Sequence, residues 1–183
     1  MSDELNPDLA VLVEDNIGLI PDFPEPGVLF RDITPLLANG EALRELTLSW
    51  ANQYRGKIDY VAGLESRGFI LAAPLAVELG IGMLTVRKKG KLPGPVLSID
   101  YGLEYGTATL EIRPETVPPG ARVLIVDDVL ATGGTAAAAD ELLTQCGADV
   151  VGLLVLLELV ELGGRARLRG IPIEAMVAVD ETL

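Results

Sequence analysis

Val123-Leu-Ile-Val-Asp-Asp-Val-Leu-Ala-Thr-Gly-Gly-Thr-Ala-Ala-Ala-Ala139 passes from an apolar run through two carboxylates and a loop of small residues into a run of alanines. Residues 123–126 are β-branched-rich with no polar break, which predicts a strand covered on both faces of a parallel sheet. Asp127 and Asp128 are expected to end it. Two adjacent carboxylates at the carboxyl edge of such a strand project to opposite sides, so at least one faces the crevice where open α/β sheets bind ligands. In Thr132-Gly133-Gly134-Thr135, hydroxyls flank two residues that let backbone approach a ligand closely. Residues 136–139 open a helix whose free N–H groups and dipole converge on that loop, a physical means of holding a phosphate. Carboxylates suit sugar hydroxyls, or a hydrated Mg²⁺ shared with the ligand, better than phosphate itself. The stretch therefore asks for one ligand carrying both a phosphate and a hydroxylated ring.

Other strands end in Asp-Asp, and the rest of the chain narrows the choice. A P-loop nucleotidase needs G-x-x-x-x-G-K-[ST], which occurs nowhere. A receiver domain has its acidic pair near the amino end, whereas only 56 residues follow Asp127. A purely structural strand-turn-helix explains the apolar run and the glycines but not both aspartates and both threonines.

At 183 residues, with 49% hydrophobic content and a mean hydropathy of +0.38, the chain can bury one sizeable core, and residues 1–183 are expected to form a single domain. Its acidic start lacks the basic and apolar regions of a secretory signal, and its longest apolar run, 150–157, is too short to cross a bilayer; a cytoplasmic protein is expected. The single cysteine, Cys146, excludes an internal disulfide and reads as a packed thiol on a helix. The absence of histidine removes His-based triads and leaves acid/base work to carboxylates, Lys or Tyr. A net charge of −13 argues against nucleic-acid or anionic-membrane partners. Within that acidic chain, four of the fourteen basic residues fall in Arg87-Lys88-Lys89-Gly90-Lys91.

Along the chain, residues 9–13 form a short helical face, with Asn6 a possible N-cap and Pro7 at the first helical position. Four prolines between 20 and 35 predict a rigid extended surface segment. Residues 41–54 form an amphipathic helix with Trp50 in the core, stopped by Gly56. Residues 60–64 are a strand, and Glu65-Ser66-Arg67-Gly68 leads into a helix to about Leu79 that contains Pro74, with Ser66 as its N-cap. Residues 81–86 are a third strand that delivers the basic cluster. Residues 88–112 are expected to be a mobile hairpin-like arm, with Glu104 and Tyr105 at its tip and 107–112 as its returning strand. Further strands are expected at 149–157 and 174–179, with a weak helix over 162–168 and Arg165, Arg167 and Arg169 on a solvated surface. This order gives an α/β fold: an open, mainly parallel twisted sheet with helices on both faces, plus a small amino-terminal hood over residues 1–35.

The stretch 123–139 also resembles, residue for residue, the phosphoribosyl pyrophosphate (PRPP) signature of the type I phosphoribosyltransferases. That resemblance implies that Asp127 and Asp128 meet the ribose hydroxyls and that Ala131, Thr132, Gly133, Gly134 and Thr135 cradle the 5′-phosphate. Gly-Leu-Glu-Ser-Arg-Gly-Phe69 is similar to the family's pyrophosphate loop, which implies roles for Glu65, Ser66 and Arg67 and an unusual cis peptide between Glu65 and Ser66. Phe23-Pro-Glu-Pro-Gly-Val-Leu-Phe-Arg-Asp-Ile-Thr-Pro-Leu-Leu37 looks like the hood of the family's adenine-specific members. By that likeness Phe30 stacks on the purine, and backbone around Leu29 and Arg31 reads its edge. Such a pair suits adenine, because a fixed carbonyl accepts from a 6-amino group and repels a 6-oxo group.

The reaction implied is adenine plus PRPP giving AMP and pyrophosphate, with Mg²⁺ carried as Mg·PRPP and no metal site certain on the protein itself. Arg67, Arg87, Lys88, Lys91 and Tyr105 would meet the pyrophosphate, and Glu104 would exchange a proton with the purine. A homodimer is implied by the resemblance. The alternatives are a phosphoribosyltransferase for another base, such as xanthine or orotate, or a PRPP-sensing regulator, which would need a basic DNA-binding segment that the acidic first sixty residues do not offer.

Overall fold

The computed structural model describes residues 7–102, 106–168 and 170–180. The chain divides into two compact units, Met1–Gln53 and Tyr54–Leu183.

In the first unit, helix α1 (Pro7–Glu14) leads to strand β1 (Gly18–Pro21). Prolines exclude a central strand here, and what forms is a two-stranded antiparallel pair of β1 with β2 (Leu29–Asp32), in register from Gly18↔Asp32 to Pro21↔Leu29. The segment expected to be simply extended thus holds a small sheet, and Leu29, Phe30 and Arg31 lie on its second strand. The bond between Phe23 and Pro24 is cis. Asp32 Oδ1 accepts from the backbone N–H and the hydroxyl of Thr34, where helix α2 (Thr34–Ala38) begins. Helix α3 (Gly40–Tyr54) follows the expected span closely, and Ala42, Leu46, Trp50 and Ala51 on it are buried. Asn6, the expected first cap, lies outside the described residues.

The second unit is a seven-stranded sheet. Strand β3 (Tyr60–Leu64) is followed by α4 (Arg67–Leu79), β4 (Gly82–Lys88), the arm strands β5 (Leu97–Gly102) and β6 (Thr107–Ile112), then β7 (Arg122–Leu130), α5 (Gly134–Gln145), β8 (Asp149–Leu159) and β9 (Ile173–Val179). The strand order is β5-β6-β4-β3-β7-β8-β9, parallel from β4 through β9, with β6 antiparallel to both β4 and β5. The arm therefore extends the sheet: Arg87 and Lys88 pair with Glu111 and Leu110. Leu97, Ile99 and Tyr101 alternate inward against the core that α5 covers. Among the described residues the arm is the strand-paired hairpin that the sequence leads one to expect.

Strand alternation places the two long helices on opposite faces. Ala62, Leu64, Val123 and Ile125 belong to the core formed with Ala136, Ala139, Leu142 and Leu143 of α5. Gly63, pointing the other way, is so close to α4 that a Cβ on it would lie 3.0 Å from that of Ala72 and 3.1 Å from Phe69. The chain steps one way along the sheet after β3 and the other way after β7, so the crevice between these two strands is the switch point of the topology.

Two expectations need correction. Strand β7 does not end at the aspartates but continues to Leu130. Its pairing with β3 stops at Gly63↔Val126 while its pairing with β8 runs on to Leu130↔Glu158, so from Asp127 onward one side of the strand is open. The expected weak helix after β8 is two 3₁₀ turns, Val160–Leu162 and Gly164–Arg167. Arg165 there is not simply solvated. It forms a two-pronged pair with buried Glu158 at 2.6 Å on each side and donates to the Ile173 carbonyl at 2.9 Å. Arg169 lies outside the described residues.

Candidate functional site

At the switch point a cavity of about 500 Å³ is lined by Glu65, Ser66, Arg67, Lys88, Asp127, Asp128 and residues 131–135, together with Tyr101, Ala108, Val129, Leu130, Ala136, Leu153 and Val155. Residues predicted from three separate stretches thus meet at one place in the second unit.

The carboxylate pair sits where β7 loses its β3 neighbour. Asp128 is buried and its Oδ2 lies 2.6 Å from Arg67 Nε. At Asp127, burial first, and the charge of Asp128 second, push the carboxyl well above the usual carboxylate range. Asp127 Oδ1 accepts from the Asp128 backbone N–H at 2.9 Å, which partly opposes that rise.

The loop after β7 owes its shape to glycine. Gly133 adopts φ +77° as the residue preceding α5, a conformation that costs other residues strain. Helix α5 begins at Gly134 with small residues only, so its first N–H groups open onto the cavity at the positive end of its dipole. Tyr101 brings its hydroxyl to 3.4 Å from Thr135 Oγ1.

Across the crevice, the bond between Glu65 and Ser66 is cis, as the resemblance implies. Ser66 occupies the N-cap position of α4, although its side chain makes no capping bond. Glu65 Oε2 accepts from Lys88 N at 2.9 Å and from Arg87 Nε at 3.2 Å. Burial works against ionisation of Glu65, but the Lys88 N–H and the Arg87 guanidinium overcome it and hold the carboxyl below its usual range. Arg87 is thereby engaged with Glu65, lies 5.8 Å from the centroid of the Phe69 ring, and donates to the Lys91 carbonyl. Neither Arg87 nor the exposed Lys91 lines the cavity, whereas Lys88 does.

Leu29, Phe30 and Arg31 belong to the first unit, where Phe30 is half-buried and meets Phe23 edge-on, centroids 5.1 Å apart. Glu104 and Tyr105 lie outside the described residues.

Sequence reasoning missed three contributors. Tyr101 stood in the arm without a role. Gly68 is packed so tightly that a Cβ on it would come within 2.7 Å of the Val126 carbonyl oxygen and 2.9 Å of Asp127 Oδ1. Gly164, 29 residues after Thr135 at the end of the loop, touches the loop backbone; the Gly163-Gly164 pair was its only trace in sequence.

No group of three or more His, Cys, Asp or Glu positioned to hold a metal occurs among the described residues. A cation entering this cavity would find Asp127 and, if Arg67 releases it, Asp128, a set suited to Mg²⁺ that keeps waters and a phosphate ligand as its other partners.

Residues 32–168 match the phosphoribosyl transferase domain family. The chain is 53% identical over 176 residues to the adenine phosphoribosyltransferase of Thermobifida fusca, covering 96% of this chain and 100% of that relative. Among solved structures, it superposes with a TM-score of 0.89 on the adenine phosphoribosyltransferase of Thermoanaerobacter pseudethanolicus, at 44% identity over 93% of this chain and 99% of that one. The Saccharomyces cerevisiae enzyme, solved with adenine and an imino-altritol bisphosphate, matches at TM-score 0.88 and 38% identity over 93% and 99% of the two chains.

Proposed function

This chain belongs to the phosphoribosyltransferase family, and from that premise we propose how its residues divide the work of transferring the phosphoribosyl group of PRPP to adenine, which gives AMP and pyrophosphate. The observation that carries the division is that a carboxylate pair, Asp128 buried and Asp127 half-buried, and a glycine loop at a helix start line one cavity of about 500 Å³.

The loop from Ala131 to Thr135 takes the 5′-phosphate on backbone N–H groups at the positive end of α5. Asp127 and Asp128 take the ribose hydroxyls. Held beside the sugar, they also favour the positive charge that grows on the ring as pyrophosphate leaves. Ser66, Arg67 and Lys88 face the pyrophosphate, with Glu65 shaping their loop through Lys88 and Arg87. Lys91 and Tyr105 supply further contacts when the arm closes over the sugar and keeps water from it. Mg²⁺ arriving on PRPP would supply neutralising charge for the leaving pyrophosphate, and Asp127 is the carboxylate that would receive its water ligands. Phe30 stacks on adenine and backbone at Leu29 and Arg31 reads its edge, while Glu104 exchanges the proton at the purine ring.

Two further parts of the reading rest on the family premise: the enzyme works as a homodimer, and it works in the cytoplasm. No described helix is long and apolar enough to cross a membrane.

Pyrophosphate release measured with adenine, hypoxanthine, xanthine and orotate tests the base assignment. Turnover with adenine at least about a hundredfold above the 6-oxo purines is expected from a site whose fixed carbonyl rejects them. Comparable rates with xanthine or orotate would replace the hood reading with the alternative base.

A further inference from the structure

The turn after β8 is built into the phosphate loop. A Cβ on Gly133 would collide with the Gly164 carbonyl oxygen. Reciprocally, a Cβ on Gly164 would collide with the Ala131 carbonyl oxygen and come within 2.9 Å of Leu130 Cδ1 and 3.1 Å of Gly133 N. Two backbones touch here with no side chain between them, so the position of the turn and that of the loop are fixed together. The turn is anchored at its other side by Arg165, whose guanidinium is committed to Glu158 and the Ile173 carbonyl.

Arg167, two residues on, has no such commitment. It makes no hydrogen bond or ion pair among the described residues, and its Nη1 lies 3.4 Å from the point where a Cβ on Gly134 would stand. The side chain has therefore been carried back to the first residue of α5. The loop itself contains no cation, and the arginines of the opposite wall are engaged, Arg67 with Asp128 and Arg87 with Glu65. Lys88 also lines the cavity but stands on β4, two strands from β7, so a phosphate dianion seated on residues 131–135 would otherwise meet neutral N–H groups near a pair of carboxylates.

We propose that Arg167 is a cationic contact of the 5′-phosphate subsite, held within reach of the loop by the Gly133–Gly164 backbone contact. A guanidinium suits this place because it stays charged at any working pH and its planar donors match phosphate oxygens. The proposal rests on the reading of residues 131–135 as the 5′-phosphate loop.

Titration calorimetry with ribose 5-phosphate, AMP and pyrophosphate, on the full chain and its Arg167→Gln and Arg167→Lys variants, separates the possibilities. Arg167 is exposed, so both variants should fold, with an unchanged melting temperature as the check. Arg167→Gln should weaken ribose 5-phosphate and AMP roughly tenfold while leaving pyrophosphate within about twofold, as expected for one charge-assisted contact at a partly solvated site. Arg167→Lys should recover part of the loss. Equal affinity of the wild type and Arg167→Gln for ribose 5-phosphate would overturn the proposal while sparing the loop assignment. An equal loss for pyrophosphate would also overturn it, because the effect would then be one of general charge. Failure of ribose 5-phosphate to compete with PRPP on the wild type would remove the loop assignment and the proposal with it.

Discussion

Arg67 bonds Asp128 at 2.6 Å and acts on Asp127 as a nearby charge, so two neighbouring carboxylates live in different electrostatic circumstances. The adjacency was legible in the sequence. The asymmetry was not, because it depends on a guanidinium sixty residues away and on how deeply each side chain lies. Burial first, and the charge of Asp128 second, push the Asp127 carboxyl above the usual carboxylate range. An acid whose folded-state pKa is raised adds no penalty below its unfolded pKa; the penalty accumulates as pH rises toward the folded value. Asp127→Asn should therefore stabilise the free protein near pH 8, with the gain vanishing toward pH 4. The same change should weaken Mg·PRPP binding at least about tenfold, since a neutral amide cannot neutralise charge at the ribose. Thermal melts at several pH values together with PRPP titrations check both signs, and a destabilised variant at pH 8 would show that Asp127 has a structural partner instead.

Among elements, α4 and β7 approach each other at the crevice without side-chain padding, and Gly68 is the reason they can. The sequence announced β3, α3, α5 and the parallel sheet through their periodicity and apolar runs, and those elements formed within a residue or two of the expected places. It did not announce close approaches between elements, because a glycine needed for contact looks the same in sequence as a glycine needed for a turn. Strand β7 shows the same limit: polar residues read as its end, yet the ladder with β8 carries it to Leu130. Gly68→Ala should cost about 1–3 kcal/mol, as overpacking against backbone does. Because the helix start must retreat from Asp127, the Michaelis constant for PRPP should rise along with the loss in melting temperature. Gly40→Ala, with nothing within 4 Å of its added Cβ at the start of α3, should be neutral to slightly stabilising and serves as the control. If both variants melted alike, tight packing at Gly68 would not be what sets the crevice.

At the scale of the whole molecule the charge is divided as unevenly as the chemistry. Residues 1–53 contain two basic and ten acidic side chains, and residues 54–183 contain twelve and seventeen. In the proposed division of roles, phosphate recognition falls on the second unit, which holds the cationic wall, and the strongly acidic first unit takes the uncharged base. The overall −13 still repels a polyphosphate at distance, and the local cations attract it only once it is close. Salt separates the two ranges: the Debye length is about 30 Å at 0.01 M and about 10 Å at 0.1 M, so modest salt screens the long-range repulsion before it reaches contacts inside the cavity. With Mg²⁺ fixed and adenine saturating, kcat/KM for PRPP should rise about twofold to threefold between 10 and 100 mM ionic strength and fall again above roughly 0.3 M. The value for adenine, measured with PRPP saturating, should stay flat because the base carries no charge. A steady fall for PRPP from the lowest salt would mean that Arg67, Lys88 and their neighbours govern the encounter from the start and that the acidic surface is electrostatically silent toward the substrate.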